Sequence, residues 1–173
     1  MKTSVVVSSR TGNTALLAEQ VRHVLEEETG AKNCLYYGAP NIRALEAERI
    51  FVGFWTDKGS CDEAVADFLG KLSGKKVFLF GTAGFGGSNE YFQKILAHVC
   101  DRIPEDNQII GTYMCQGRMA ASVRERYEKL AESQPDDVHI RAMLANYDQA
   151  LGHPDETDLC RLTEAVEKAL KEA

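Results

Sequence analysis

The chain of 173 residues carries 20 Lys and Arg against 26 Asp and Glu, a formal charge of −6, with 44% hydrophobic and 27% charged residues. This is the composition of a folded globule large enough to bury a core without disulfides or a structural metal. The acidic balance argues against a partner as polyanionic as nucleic acid, and no apolar run approaches the roughly 20 residues of a membrane span. The apolar part of Met1–Val7 is too short for a signal peptide. Cys34, Cys61, Cys100, Cys115 and Cys160 are scattered and show no C-x-x-C spacing. That spacing argues against zinc or iron–sulfur ligation and gives a reduced, cytoplasmic protein as the expectation.

In chain order, the β-branched run Val5–Val7 predicts a first strand, and Ser8–Thr14 a turn that opens a helix with Leu16, Leu17, Val21, Val24 and Leu25 at helical spacing, closed by Gly30. Cys34–Tyr37 predicts a second strand, and Ile50–Trp55 a third whose apolar run without alternation suits burial on both faces. A helix is expected from about Asp62 to Leu72, a fourth strand at Val77–Phe80, and a glycine-rich loop at 81–87. Next come a helix carrying Tyr91, Phe92, Ile95, Leu96 and Val99, and a fifth strand at Ile109–Cys115. Short apolar strands alternating with helices predict a doubly wound α/β sandwich around a parallel sheet. The surplus lies at about 117–152, where two further helices are expected, the first with Met119, Val123, Tyr127 and Leu130 on one side. A last helix starts at Asp155, with Asp155 and Asp158 as a capping pair. The whole of 1–173 reads as one domain.

Ligands of open parallel sheets bind beyond the carboxyl ends of the strands, where the strand order reverses. For the order 2-1-3-4-5, three loops meet there. Ser9, Arg10, Thr11, Gly12, Asn13 and Thr14 offer hydroxyls, an amide and a helix N-terminus suited to an anion; the alternative is a polar helix start in which Thr11 or Asn13 merely caps. Trp55, the only tryptophan, followed by Thr56, Asp57, Lys58 and Gly59, is either an aromatic wall for a planar ligand or a core residue at a strand end. Thr82, Ala83, Gly84, Phe85 and Gly86 form a glycine-flanked aromatic loop for close backbone approach. Together they describe a pocket for a flat heterocycle with one phosphate tail. Neither G-x-G-x-x-G nor G-x-x-x-x-G-K-[ST] occurs. Cys61 and Cys115 read as structural thiols.

Strand, S-x-T-G-N-T, then helix resembles the phosphate loop of the flavodoxins, and Gly81–Gly87 resembles that family's second isoalloxazine loop. The resemblance covers residues 1–116 and returns in the last helix after His153–Glu156. It implies a flavodoxin-like three-layer sandwich with a helical addition after strand 5, and FMN as cofactor. Ser9 to Thr14 would hold the phosphate, with Trp55 to Gly59 and Thr82 to Gly86 around the ring. Trp55–Gly59 and Cys115–Gly117 also resemble a flavodoxin-domain group of anaerobic bacteria, some of which serve flavin-dependent reductases; a redox partner protein is thereby implied. Flavodoxins crowd acids around the flavin, whereas here Arg10 and Lys58 join Asp57, the only acid of these loops, which should raise the flavin potential. With no triad, metal cluster or paired carboxylates in view, the expected function is FMN-based electron transfer. An FMN-dependent NAD(P)H:quinone or flavin reductase and a flavin-free accessory partner of a reductase are the alternatives.

Overall fold

The computed structural model describes residues 1–86 and 88–172. Strands β1 (Thr3–Val7), β2 (Cys34–Gly38), β3 (Arg49–Trp55), β4 (Lys76–Ala83) and β5 (Gln108–Gln116) form one parallel sheet in the order β2-β1-β3-β4-β5. This is the expected 2-1-3-4-5 arrangement of an α/β three-layer sandwich. The register sets Val7 beside Gly53, Trp55 beside Thr82, and Ala83 beside Gln116, so the carboxyl ends of four strands share one edge.

Helices α1 (Asn13–Thr29) and α6 (Glu156–Glu172) cover one face of the sheet, where Leu17, Val21, Leu162 and Val166 pack on Phe51, Phe78 and Phe80. Helices α2 (Glu63–Leu69) and α3 (Asn89–Cys100) cover the other, where Val65, Leu69, Ile95 and Val99 pack on Ile50, Val52, Phe54 and Leu79. The uninterrupted apolar runs of β3 and β4 therefore mean what they were expected to mean, since alternate residues face two different cores. Each fully buried Leu or Phe contributes about 1.5–3 kcal/mol.

Four details depart from the sequence expectations. Strand β4 runs on through Gly81, Thr82 and Ala83, because β5 continues to pair with it as far as Gln116. A Cβ at Gly81 would sit 2.6 Å from the Phe54 ring, so core packing, not a loop, calls for glycine there. Helix α2 stops at Leu69, and Leu72 is buried from the turn beyond it. Leu16 and Leu130 point to solvent. Gly87 lies outside the described residues.

The surplus length forms helices α4 (Ala121–Ser133) and α5 (Val138–Ala150), joined by residues 134–137. Asp137 caps α5 by accepting from the His139 and Ile140 N–H groups, and Tyr127, Ile140, Tyr147 and Ala150 are buried. Arg124 lies 5.5 Å from the Tyr147 ring centroid and pairs with Asp148, tying α4 to α5. The two ends of this excursion meet: the Gly117 N–H donates to the Ala83 carbonyl at 2.9 Å, and the Arg118 N–H to the His153 carbonyl at 3.0 Å. Beyond it, the N–H groups of Asp155 and Asp158 each donate to the other's carboxylate at 2.8 Å, the expected capping pair at the start of α6.

Candidate functional site

The turn after β1 delivers the chain to α1 through Gly12, whose φ of +94 is a left-handed conformation that L side chains adopt at a cost. Among the described residues no side chain caps α1, so the N–H groups of its first turn are left without a side-chain acceptor. The alternative role for Thr11 and Asn13, capping, is thus not the one they take. Instead the Asn13 amide donates to Thr11 Oγ1 at 3.1 Å and to the Arg118 carbonyl at 2.7 Å, and Ser9 Oγ accepts from the Gly12 N–H at 3.2 Å. A 17-residue helix thereby presents its positive end and two hydroxyls, Ser9 and Thr11, to the sheet edge. Beneath it the buried hydroxyls of Thr14 and Thr82 bond to each other at 2.9 Å.

Trp55 ends β3 half-buried, with its indole N–H donating to Asp62 Oδ2 at 3.1 Å. The same carboxylate accepts from the Ser8 hydroxyl and, through Oδ1, from the Val65 N–H at the start of α2. Arg10 stacks over the indole, 5.3 Å from the ring centroid. Asp57 and Ser60 exchange backbone hydrogen bonds of 2.8 and 3.0 Å around Lys58 (φ 49) and Gly59 (φ 79), a tight turn with both central residues at positive φ. His98 Nδ1 from α3 lies 3.0 Å from the Gly59 carbonyl. Thr56 fastens this segment to β4, its N–H and hydroxyl both donating to the Thr82 carbonyl.

Between these segments lies a cavity of about 550 Å³, within the range of small-molecule sites. Arg10, Thr11 and Asn13 line it from the first loop; Trp55, Thr56, Lys58 and Gly59 from the second; Thr82, Ala83, Gly84 and Phe85 from the third. Five expected residues stand outside that lining. Ser9 and Gly12 bond to each other within the first loop, Thr14 is buried under it, Asp57 is engaged in its turn, and Gly86 is covered by Gln116.

The fourth wall comes from the helical excursion, whose residues were not among the expected site residues. Met119, Val123 and Tyr127 give it apolar surface, and Arg118 and Arg126 give it charge. The glycines of the third loop make room for these protein neighbours: a Cβ on Gly84 would stand 2.6 Å from Met119. Asn146 of α5 fixes that loop, donating to the Gly84 carbonyl at 3.1 Å and accepting from the Gly86 N–H at 3.4 Å and the Gln116 amide at 3.1 Å. No carboxylate lines the cavity among the described residues.

The thiols stay outside this chemistry. Burial pushes Cys115 up to about 12 and raises Cys61 as well, so neither is a nucleophile near neutral pH.

The comparisons with known proteins agree with this architecture. The family model described as "Flavodoxin domain" matches residues 4–167. The chain belongs to the flavodoxin family, a class of FMN-type flavoproteins. Over 173 aligned residues it is 40% identical to a flavodoxin-like domain-containing protein BilS of Clostridium symbiosum, covering 92% of this chain and 90% of the relative. It is 34% identical to the protein of that name in Clostridioides difficile, over the same shares of the two chains. Among solved structures, the flavodoxin of Streptococcus pneumonia TIGR4 superposes with a TM-score of 0.63 at 17% identity, covering 100% of both chains. That last likeness shows the fold. FMN is the family's cofactor, and the residues present fit it: an uncapped helix start with hydroxyls for a phosphomonoester, and an aromatic-walled cavity for a planar ring.

Proposed function

We propose that the chain is an FMN-dependent electron-transfer protein that exchanges electrons with a partner reductase. The observation that supports it best is the single cavity wall running from the uncapped start of α1 to Trp55 and Phe85. It spans an anion site and a flat apolar site in one continuous space. Ser9, Arg10, Thr11, Gly12, Asn13 and Thr14 would bind the phosphate through hydroxyls, the guanidinium and backbone N–H groups. Trp55, Thr56, Asp57, Lys58 and Gly59 would flank the ring on one side, and Thr82, Ala83, Gly84, Phe85 and Gly86 on the other. When bound, FMN supplies the redox chemistry, and the protein's own residues bind it, orient it and set the electrostatics at its edge.

Lys58 stands at positive φ in a tight turn and lines the cavity. A cation there stabilises negative charge on a reduced ring and raises its potential. The wall made by Met119, Val123 and Tyr127 favours one alternative, an FMN-dependent NAD(P)H:quinone or flavin reductase, because it bounds cavity space that a second substrate would share with a bound ring.

The deciding measurement is the visible absorption spectrum of the purified protein with and without added FMN. Bound-flavin bands and quenching of FMN fluorescence are expected. If neither occurs, both flavin readings fall and the accessory-protein reading stands. With FMN bound, NAD(P)H oxidation by a quinone without any partner protein would make the chain an enzyme instead of a carrier.

A further inference from the structure

Arg10, Lys58, Arg118 and Arg126 ring the mouth of the cavity, and all four are exposed. None forms an ion pair among the described residues, although Arg22, Arg124 and Arg141 all do. They come from three separate places: the turn after β1, the turn after β3, and the start of the helical excursion. Between them lie aromatic and sulfur-bearing side chains, with Phe85 43% exposed and Trp55, Met119 and Tyr127 in the lining. The chain as a whole is acidic, at −6.

From this distribution we infer that the mouth is a docking face for an acidic patch around the redox centre of the partner protein. The inference rests on the electron-transfer reading and names the chemistry of the partner. Exposed Arg around an aromatic centre is the composition of a protein interface. A site for one small anion would draw its cations together and bury them. Here the cations are exposed and spread over three stretches of the rim, an arrangement whose effect is the summed field. That field attracts an acidic surface to this edge, while the negative charge elsewhere repels it. The encounter is therefore oriented with the two redox centres facing.

The test uses the isotope-labelled full-length chain, loaded with FMN where it binds, and two protein probes of opposite charge: an acidic plant-type ferredoxin and basic cytochrome c. Backbone amide shifts are followed at low and at physiological salt. The ferredoxin should perturb amides around residues 10–12, 57–59, 84–86 and 118–127, and the affinity should fall as salt rises. Arg118→Glu with Arg126→Glu should weaken that association at least about tenfold at low salt. Arg118→Gln with Arg126→Gln should fall in between, and all variants should retain the native circular dichroism spectrum. Equal shifts with cytochrome c, or no response to charge reversal, would overturn the inference. So would saturation of the same amides by pyrophosphate alone at micromolar concentration, which would assign the rim to a small anion. FMN titration of the same samples is read separately: a chain that takes no FMN sinks the electron-transfer reading, while the shifts still report whether the face selects acidic proteins.

Discussion

Asp62 caps α2 through the Val65 N–H, while its other carboxylate oxygen accepts from the Trp55 indole and the Ser8 hydroxyl. Replacing it with Ala removes the cap, worth about 1 kcal/mol, and should lower the melting temperature by roughly 2–4 °C. It also frees the only tryptophan. Intrinsic fluorescence should therefore shift in emission maximum, while Asp62→Asn should preserve more of the native signal. The thiols give a second expectation. With Cys115 at about 12, only about one molecule in ten thousand carries its thiolate at pH 8. Iodoacetamide at that pH should label exposed Cys160 and spare Cys115 and Cys61 until denaturant is added. Because the folded value is raised, Cys115 costs nothing below its unfolded value of about 8.5. Above that, stability should fall as pH climbs towards about 12, and Cys115→Ala should flatten this alkaline limb. Asp155 works in the opposite sense. Hydrogen bonds from Asp158 hold its carboxyl below the ordinary range, so its contribution is complete above the unfolded value and lost as pH falls through the folded one.

At the scale of elements, the strands and the helices on both faces were legible because period and burial are local properties of the sequence. The phosphate loop was legible for the same reason: the turn and the helix it opens adjoin in the chain. What could not be read was which residues of the helical addition line the cavity and anchor its loops. Asn13 reaches Arg118 across 105 positions, and Asn146 reaches Gly84 across 62. Nothing local in Asn146, a polar residue in the middle of a helix, marks it as the anchor of a loop. The glycines of that loop also have a role no local signal shows: Met119 and Gln116 leave no room for a Cβ at Gly84 and Gly86. Asn146→Ala would leave the Gly86 N–H and the Gln116 amide short of an acceptor, a loss of about 1–2 kcal/mol. If that loop flanks the flavin, FMN affinity should drop by roughly 5–30-fold in a fluorescence titration, with the far-ultraviolet circular dichroism unchanged.

For the molecule as a whole, the net charge conceals an uneven distribution: the chain sums to −6, yet four exposed cations and no carboxylate among the described residues surround its cavity. The potential of bound FMN should accordingly lie less negative than in a flavodoxin with acids at the same edge. Lys58→Gln should move it to more negative values, and added salt should shrink the difference. Equilibration with a reference dye during reduction measures both. The helical excursion contributes half of those cations, and its two ends are joined by one hydrogen bond from Arg118 to the His153 carbonyl. A stretch whose ends leave and rejoin the chain side by side can be exchanged for a short turn, or for another hairpin of different charge, without altering the path of any strand. Because Asn146 and Met119 also press on the third loop, such an exchange would change partner choice and the hold on the flavin together.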